Sequence, residues 1–247
     1  MSGTSFGMGT NVANWNKAPT LSQRSIFQQL TETGHSWLNY KPSGGAGDDA
    51  LYFQWTLASN NTDKSVPTDQ FFADAAAGQL PEFSYIGDNA FHPAGLVSSG
   101  EAFIKKVYEA LRASPQWKDT LMILTFDEAG GFHDHVPPPL APRPDNQTFT
   151  TTTPTGESYT FEFDRLGGRV PTLLISPYVA KGHVEQKGVQ SNGETVSYSA
   201  TSILRTLGYL WDFEPFNPRV EGAASFEHLI RAARRSTPAK LPEVTPF

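Results

Sequence analysis

The sequence predicts an α/β fold built on a layered, mainly parallel sheet. Three observations point there. Segments with a helical period alternate with short strand-like runs along most of the chain, the rhythm of βαβ crossovers. Two of those runs, 120–126 and 169–177, are apolar in the way of strands buried in open α/β sheets. A chain of 247 residues with 38% hydrophobic and 12% aromatic content can also bury a sizeable core, which excludes wholesale disorder.

The elements follow in order. Residues 22–33 read as a helix with Ser22 as N-cap, Ile26, Phe27 and Leu30 on one face, and Gly34 as the stop. Residues 36–40 alternate as a strand, 42–49 form a Gly-rich loop, 68–78 a short helix and 82–86 the next strand. The clearest helix is 99–113, with Phe103, Val107, Tyr108 and Leu111 near helical spacing and Ser114-Pro115 ending it. It leads into the central strand, 120–126. Residues 142–164, rich in Thr and Pro, read as an exposed hairpin insertion placed to cover the strand end. A further strand at 169–177 and a helix at 199–211, with Ile203, Leu204, Leu207 and Leu210 inward, complete the pattern. No internal repeat is present.

The chemistry concentrates after the central strand. Asp127-Glu128-Ala129-Gly130-Gly131-Phe132-His133-Asp134-His135 packs three carboxylates and two imidazoles into one loop, followed by Val136 and three prolines. Ligands of open α/β sheets bind outside the carboxyl ends of the strands, where this loop sits. The paired glycines allow a sharp turn and the prolines stiffen the exit. Carboxylates this close raise one another's pKa unless a cation lies between them, so the loop points to metal or phosphate chemistry rather than to solvated charges. Asp88-Asn89-Ala90-Phe91-His92-Pro93 follows another strand and is either a surface turn or a second group on the same edge. Arg169 is placed to clamp a phosphate with both arms or to pair with Asp164. His35, His183 and His228 read as surface residues without acidic company.

Composition narrows the classes. A net charge of −6 and the lack of a basic stripe argue against a nucleic-acid surface. The nearest basic stretch, Arg231 to Arg235, reads as a solvated, helix-like face. With no cysteine, any metal must use O and N ligands. Oxygen-rich ligation favours Ca²⁺, Mg²⁺ or Mn²⁺, and imidazole would admit Zn²⁺ or Fe. No apolar run approaches the roughly 18 residues of a membrane span, and the first residues lack a signal pattern. Two Asn-x-Thr sequons, at Asn60 and Asn146, fit a secreted glycoprotein. There is no Gly-x-Ser-x-Gly elbow, Walker loop, dinucleotide fingerprint or His-Glu-x-x-His helix, so serine hydrolases, nucleotide-cofactor enzymes and metalloproteases rank low.

Residues 114–120 together with the loop 127–139 resemble the bacterial and fungal phosphoesterase family that contains phospholipases C and acid phosphatases. Phe91-His92-Pro93, Gly168-Arg169-Val170-Pro171, Ile175-Ser176-Pro177-Tyr178 and Thr201-Ser202-Ile203-Leu204-Arg205 add to the match, which runs from about Ser22 to Ile230. The resemblance implies a three-layer α/β/α fold like that of alkaline phosphatase. It also implies cleavage of phosphate esters, of a phospholipid head group or a small phosphomonoester, by a metal-assisted Ser or Thr nucleophile. Asp127 and Glu128 match the family's metal-binding pair. His92 matches a histidine that contacts the phosphoryl group, and Asp134 and His135 fall in an Asp-His-Val element near the site; the roles of His92 and His135 stay interchangeable.

Two departures shape the expectation. Members begin with a Glu-Asn-Arg-Ser-Phe-Asp-His-like segment and a Pro-Asn-Arg segment following the nucleophile, and neither is found. The opening Ser2-Gly3-Thr4-Ser5 resembles a stretch that comes after the nucleophile. The chain is therefore expected to be the C-terminal portion of a longer, secreted enzyme, a single phosphoesterase domain over 1–247 with its nucleophile upstream. Ser2, Thr4 and Ser5 would then lie on a terminus that frays. The second departure is at Ser199 and Ala200, where many members carry Asp-His. The rival reading is a catalytically incompetent fragment that keeps a partial metal site.

Overall fold

A computed structural model describes residues 1–9, 21–42, 49–87 and 95–245. In chain order the helices are α1 (Ile26–Glu32), α2 (Gln54–Ala58), α3 (Thr68–Ala77), α4 (Val97–Ala113), α5 (Thr201–Trp211) and α6 (Pro218–Glu221). The strands are β1 (Trp37–Lys41), β2 (Ser65–Pro67), β3 (Phe83–Ile86), β4 (Met122–Leu124), β5 (Phe149–Thr152), β6 (Ser158–Phe161), β7 (Leu173–Ile175), β8 (Lys187–Val189) and β9 (Thr195–Ser197). Short 3-10 turns at Asp49–Tyr52, Thr62–Lys64, Pro115–Asp119 and Glu227–Leu229 join them.

β1 is central in a parallel sheet ordered β2-β1-β3, with Trp37 opposite Phe83 and Tyr40 opposite both Val66 and Ile86. Because side chains alternate along a strand, this sheet divides the core in two. Trp37, Phe83 and Tyr85 pack with Phe27 and Leu30 of α1 and Leu204 and Leu207 of α5. Leu38, Tyr40 and Ile86 pack with Phe71 of α3 and Val107, Tyr108 and Leu111 of α4. Helices on both faces give the expected α/β/α layering.

The sequence signals set most boundaries. Gly78 closes α3 in the left-handed conformation at φ 68°, the C-terminal stop that glycine adopts without strain. The first helix starts later than expected: Ser25, not Ser22, is the cap, its backbone extended and its hydroxyl accepting from the Gln28 N–H at 3.2 Å. The second apolar strand also departs from the parallel expectation. β7 runs antiparallel to β4, with Met122 opposite Ile175 and Leu124 opposite Leu173. The connection from β4 carries a hairpin and no helix, so nothing enforces the right-handed crossover that parallel pairing needs.

That hairpin is β5 with β6, Phe149 opposite Phe161. The Arg219 guanidinium donates to the carbonyls of Pro142, Phe163 and Arg165 and so clips both its feet. No hydrogen bond or ion pair to Asp127 or Glu128 comes from the hairpin among the described residues. A second hairpin, β8 with β9, has no counterpart in the sequence reading. Residues 231–235 are not helical; this basic stretch runs alongside the segment after β7, with the Arg231 N–H on the Tyr178 carbonyl and the Arg235 N–H on that of Pro177, both at 2.8 Å.

Candidate functional site

Leaving β4, the chain passes Thr125, whose hydroxyl meets that of Thr172 at 2.8 Å, and then turns. Gly130 and Gly131 take φ of 68° and 72°, values in which L side chains are strained, so the paired glycines are what make the turn possible. Asp127 and Glu128 are exposed at its start. Each carboxylate caps local backbone: Asp127 Oδ1 accepts from the Glu128 N–H at 3.1 Å, and Glu128 Oε2 accepts from the Gly130 N–H at 2.7 Å. Among the described residues neither forms an ion pair, so there the two carboxylates at this strand end are uncompensated.

The far side of the loop is pinned by charge. Arg169 Nε donates to Asp134 Oδ2 at 2.7 Å and Nη2 to Oδ1 at 2.8 Å, the two-armed geometry that makes Arg–carboxylate pairs strong. Asp134 Oδ1 also accepts from the Val136 N–H at 3.0 Å. The Arg169 bonds, followed by that backbone donor, hold the Asp134 carboxyl well below the usual carboxylate range. The pairing of Arg169 with Asp164 is not realised, since Asp164 is taken by Arg165 at 3.2 Å. The antiparallel β4–β7 pairing explains why: it returns the start of β7 to the end of β4, where the loop lies. His135 is 85% exposed, its Nδ1 3.6 Å from Asp134 Oδ1. It faces solvent, free to meet an incoming group.

Below the acidic pair lies a group that the sequence does not single out. The Tyr85 phenol is bonded to Asp49; burial, then the charge and bond of Asp49, then the charge of Asp127, raise its pKa far above the ordinary value. Asp49 is delivered by a 3-10 turn whose next residue, Ala50, donates its N–H to the buried Asn39 Oδ1 at 3.4 Å. No local signal marks this grouping, because Asp49, Tyr85 and Asp127 come from three separate parts of the chain, a 3-10 turn, β3 and the loop after β4.

The carboxylates fit a hard divalent cation in chemistry. They are oxygen donors without a cationic partner among the described residues, and each has oxygen capacity left over. Among the described residues no group of three or more His, Asp or Glu is placed to share one ion. Asp88 and His92, expected beside Asp127, lie outside the described residues.

The N-terminal hydroxyls differ from the frayed expectation. The Ser2 hydroxyl donates to the Thr4 carbonyl at 2.6 Å, Thr4 to Asp145, and Ser5 to the Met8 carbonyl at 2.8 Å. The Met1 carbonyl accepts from the Ile26 N–H and that of Ser2 from Asn217. These hydroxyls are ordered, and each is engaged with another acceptor. His35, His183 and His228 do have acidic company, contrary to the sequence reading. His35 meets Glu82 at 3.0 Å, while His183 and His228 meet the two oxygens of Glu185 at 3.0 and 3.1 Å. Only folding brings Glu82 and Glu185 to them, apart from the near neighbour His183.

Comparison with known proteins decides the lineage. A model of the Phosphoesterase family matches residues 1–214. The chain belongs to the Phosphoesterase family. It is 39% identical over 197 residues to non-specific phospholipase C6 of Arabidopsis thaliana, an alignment covering 72% of this chain and 36% of that protein. It is 34% identical over 263 aligned positions to non-specific phospholipase C1 of the same plant, covering 98% of this chain and 47% of the relative. With the non-hemolytic phospholipase C of Burkholderia pseudomallei it shares 33% identity over 121 residues, 45% of this chain and 17% of that protein. The relatives thus include plant as well as bacterial proteins, wider than the bacterial and fungal resemblance suggested. The chain spans less than half the length of these relatives.

Proposed function

We propose that this chain carries the acidic half of a metal-assisted phosphoric ester hydrolase site of the phospholipase C type. The observation that carries the reading is the uncompensated pair Asp127 and Glu128 at the end of β4, on a loop braced by Asp134 and Arg169, in a Phosphoesterase chain whose relatives are named phospholipases C. Asp127 and Glu128 would hold a divalent ion, which supplies positive charge against the phosphoryl oxygens. Arg169 keeps Asp134 ionised and the loop in place. His135, open to solvent, is available to donate a proton to the leaving oxygen, and His92 is the family-matched contact for the phosphoryl group. A phospholipid substrate is favoured over a small monoester by Phe132, 75% exposed in the same loop, and Leu140, 79% exposed just beyond it, apolar groups suited to a lipid interface. Exposure of both sequon asparagines, Asn60 and Asn146, supports an extracellular setting. No helix among the described residues is long and apolar enough to cross a membrane.

A second reading, a chain that binds metal without turnover, is supported by the engagement of the Ser2, Thr4 and Ser5 hydroxyls. Both readings are tested together. The 247-residue chain is expected to hydrolyse phosphatidylcholine or a chromogenic phosphomonoester weakly, and a chain extended with the family's Glu-Asn and nucleophile segments strongly, with added divalent metal. Calorimetry with Mn²⁺ should show Asp127→Asn binding roughly ten- to a hundredfold more weakly than His35→Ala. Equal binding by the two variants would remove the metal assignment, and vigorous hydrolysis by the short chain carrying alanine at 2, 4 and 5 would place the nucleophile elsewhere.

A further inference from the structure

The antiparallel pairing that brings Arg169 to the acidic loop has a second effect at the opposite end of β4. There the 3-10 turn entering β4 meets the chain leaving β7 and the basic stretch that follows it. Arg112, Trp117, Lys118, Pro177, Arg234 and Arg235 line a cavity of about 270 Å³. Its cations lack carboxylate partners to an unusual degree. Arg112 donates to the Thr237 carbonyl, at 3.3 Å from Nη2, and Arg235 to the carbonyls of Val179 and Ser236, at 2.5 and 3.1 Å. Those acceptors are neutral. Arg234 has no hydrogen bond or ion pair with any described residue, and Lys118 has only a loose one with Asp119 at 3.9 Å. Four cationic side chains thus line the cavity, and among the described residues one of them, Lys118, has a carboxylate partner.

Cationic side chains that line one cavity favour an anion there, and guanidinium groups match the oxygens of phosphate with paired N–H donors. Carbonyl bonds fix Arg112 and Arg235 in place beforehand, which lowers the ordering cost of binding. The cavity is shallow and open to solvent, a setting for a small hydrated anion rather than a buried apolar ligand. We propose that this pocket binds a phosphate-type polyanion at a site separate from the Asp127 loop. Free pyrophosphate and the phosphomonoester head group of an acidic lipid share that chemistry. Arg234 and Arg235 lie beyond residue 214, where the family match ends, whereas Arg112, Trp117, Lys118 and Pro177 lie within it.

The test uses the full chain without added metal. Calorimetry with inorganic pyrophosphate should show binding that weakens as salt rises. Lys118→Glu combined with Arg234→Glu should weaken it about tenfold or more, since each reversal both removes an attraction and adds a repulsion. Neither side chain holds backbone, so thermal melts should match the parent. Lys187→Glu, on β8, and Asp127→Asn should leave pyrophosphate binding unchanged, which separates this pocket from the acidic loop. Sedimentation with phosphatidylcholine vesicles, with and without phosphatidic acid, distinguishes the sources. Co-sedimentation that needs phosphatidic acid and is lost in the double variant assigns a lipid head group, and pyrophosphate binding without it assigns a free anion. Absence of pyrophosphate binding by the parent chain, or equal binding by the double variant, overturns the proposal.

Discussion

Phe27 is the perturbation that best tests how the core supports the site. Its side chain is fully buried on α1. Its ring lies 4.7 Å from that of Trp37, 6.1 Å from Tyr85, 6.3 Å from Phe83 and 6.4 Å from Phe53, the last three edge-on. Phe27→Ala removes the ring from all four neighbours and leaves a cavity, a change that costs about 3–5 kcal/mol. The edge-to-face contacts, each worth roughly 0.5–1.5 kcal/mol and not additive, place it near the top of that range. Phe27→Leu keeps most of the volume and should cost about 1–1.5 kcal/mol. Against a total stability of roughly 5–15 kcal/mol, the alanine variant stays folded with a much reduced margin. Urea titration followed by tryptophan fluorescence is well suited, because Trp37 is in contact with the altered position. The consequence reaches the site, since Tyr85 stands between Phe27 and the charges of Asp49 and Asp127. A loss under about 1 kcal/mol for Phe27→Ala, with an unchanged denaturant slope, would refute the idea that this aromatic group is the keystone of the face below the acidic loop.

Three further outcomes are expected. Replacing Arg169 with Ala should speed hydrogen exchange at the Val136 amide, and Arg169→Lys should do so partially, because lysine keeps the charge but not the two-armed bond to Asp134; unchanged exchange in both would show the loop to be held by other means. The Glu185 carboxyl is depressed from 4.5 to about 2 by bonds from His183, then Tyr198, with His228 adding to them. A depressed carboxylate contributes stability that is fully present above its unfolded pKa and is lost as pH falls through the folded one. The melting-temperature gap between the parent and Glu185→Gln should therefore be full above about pH 4.5 and shrink toward pH 2, and a gap that widens on acidification would contradict this. Gly208→Ala, within α5, ordinarily gains roughly 0.5–1 kcal/mol in a helix. Here the added carbon would lie 2.8 Å from the Phe213 carbonyl oxygen, so the denaturant midpoint is expected to fall.

How much of this was legible beforehand depended on the range of the cause. The α3 stop at Gly78, the apolar spacing of α4 and the glycine turn after β4 are local: chirality, side-chain period and allowed φ dictate them, and the sequence shows all three. The acidic loop was legible for the same reason, since its carboxylates and imidazoles are contiguous. The hand of β7 was not. An apolar strand carries no mark of its pairing direction, and only the return of the chain after the hairpin sets it against β4. From that one tertiary decision follow the Arg169–Asp134 brace at one end and the cationic pocket at the other. Asp49 beside Tyr85, and Glu185 between two histidines, belong to the same class. Sequence by itself determined which groups carry charge and where the chain turns; the tertiary structure decided which charges meet, because electrostatic partners separated by many residues are chosen by packing of the elements that bear them.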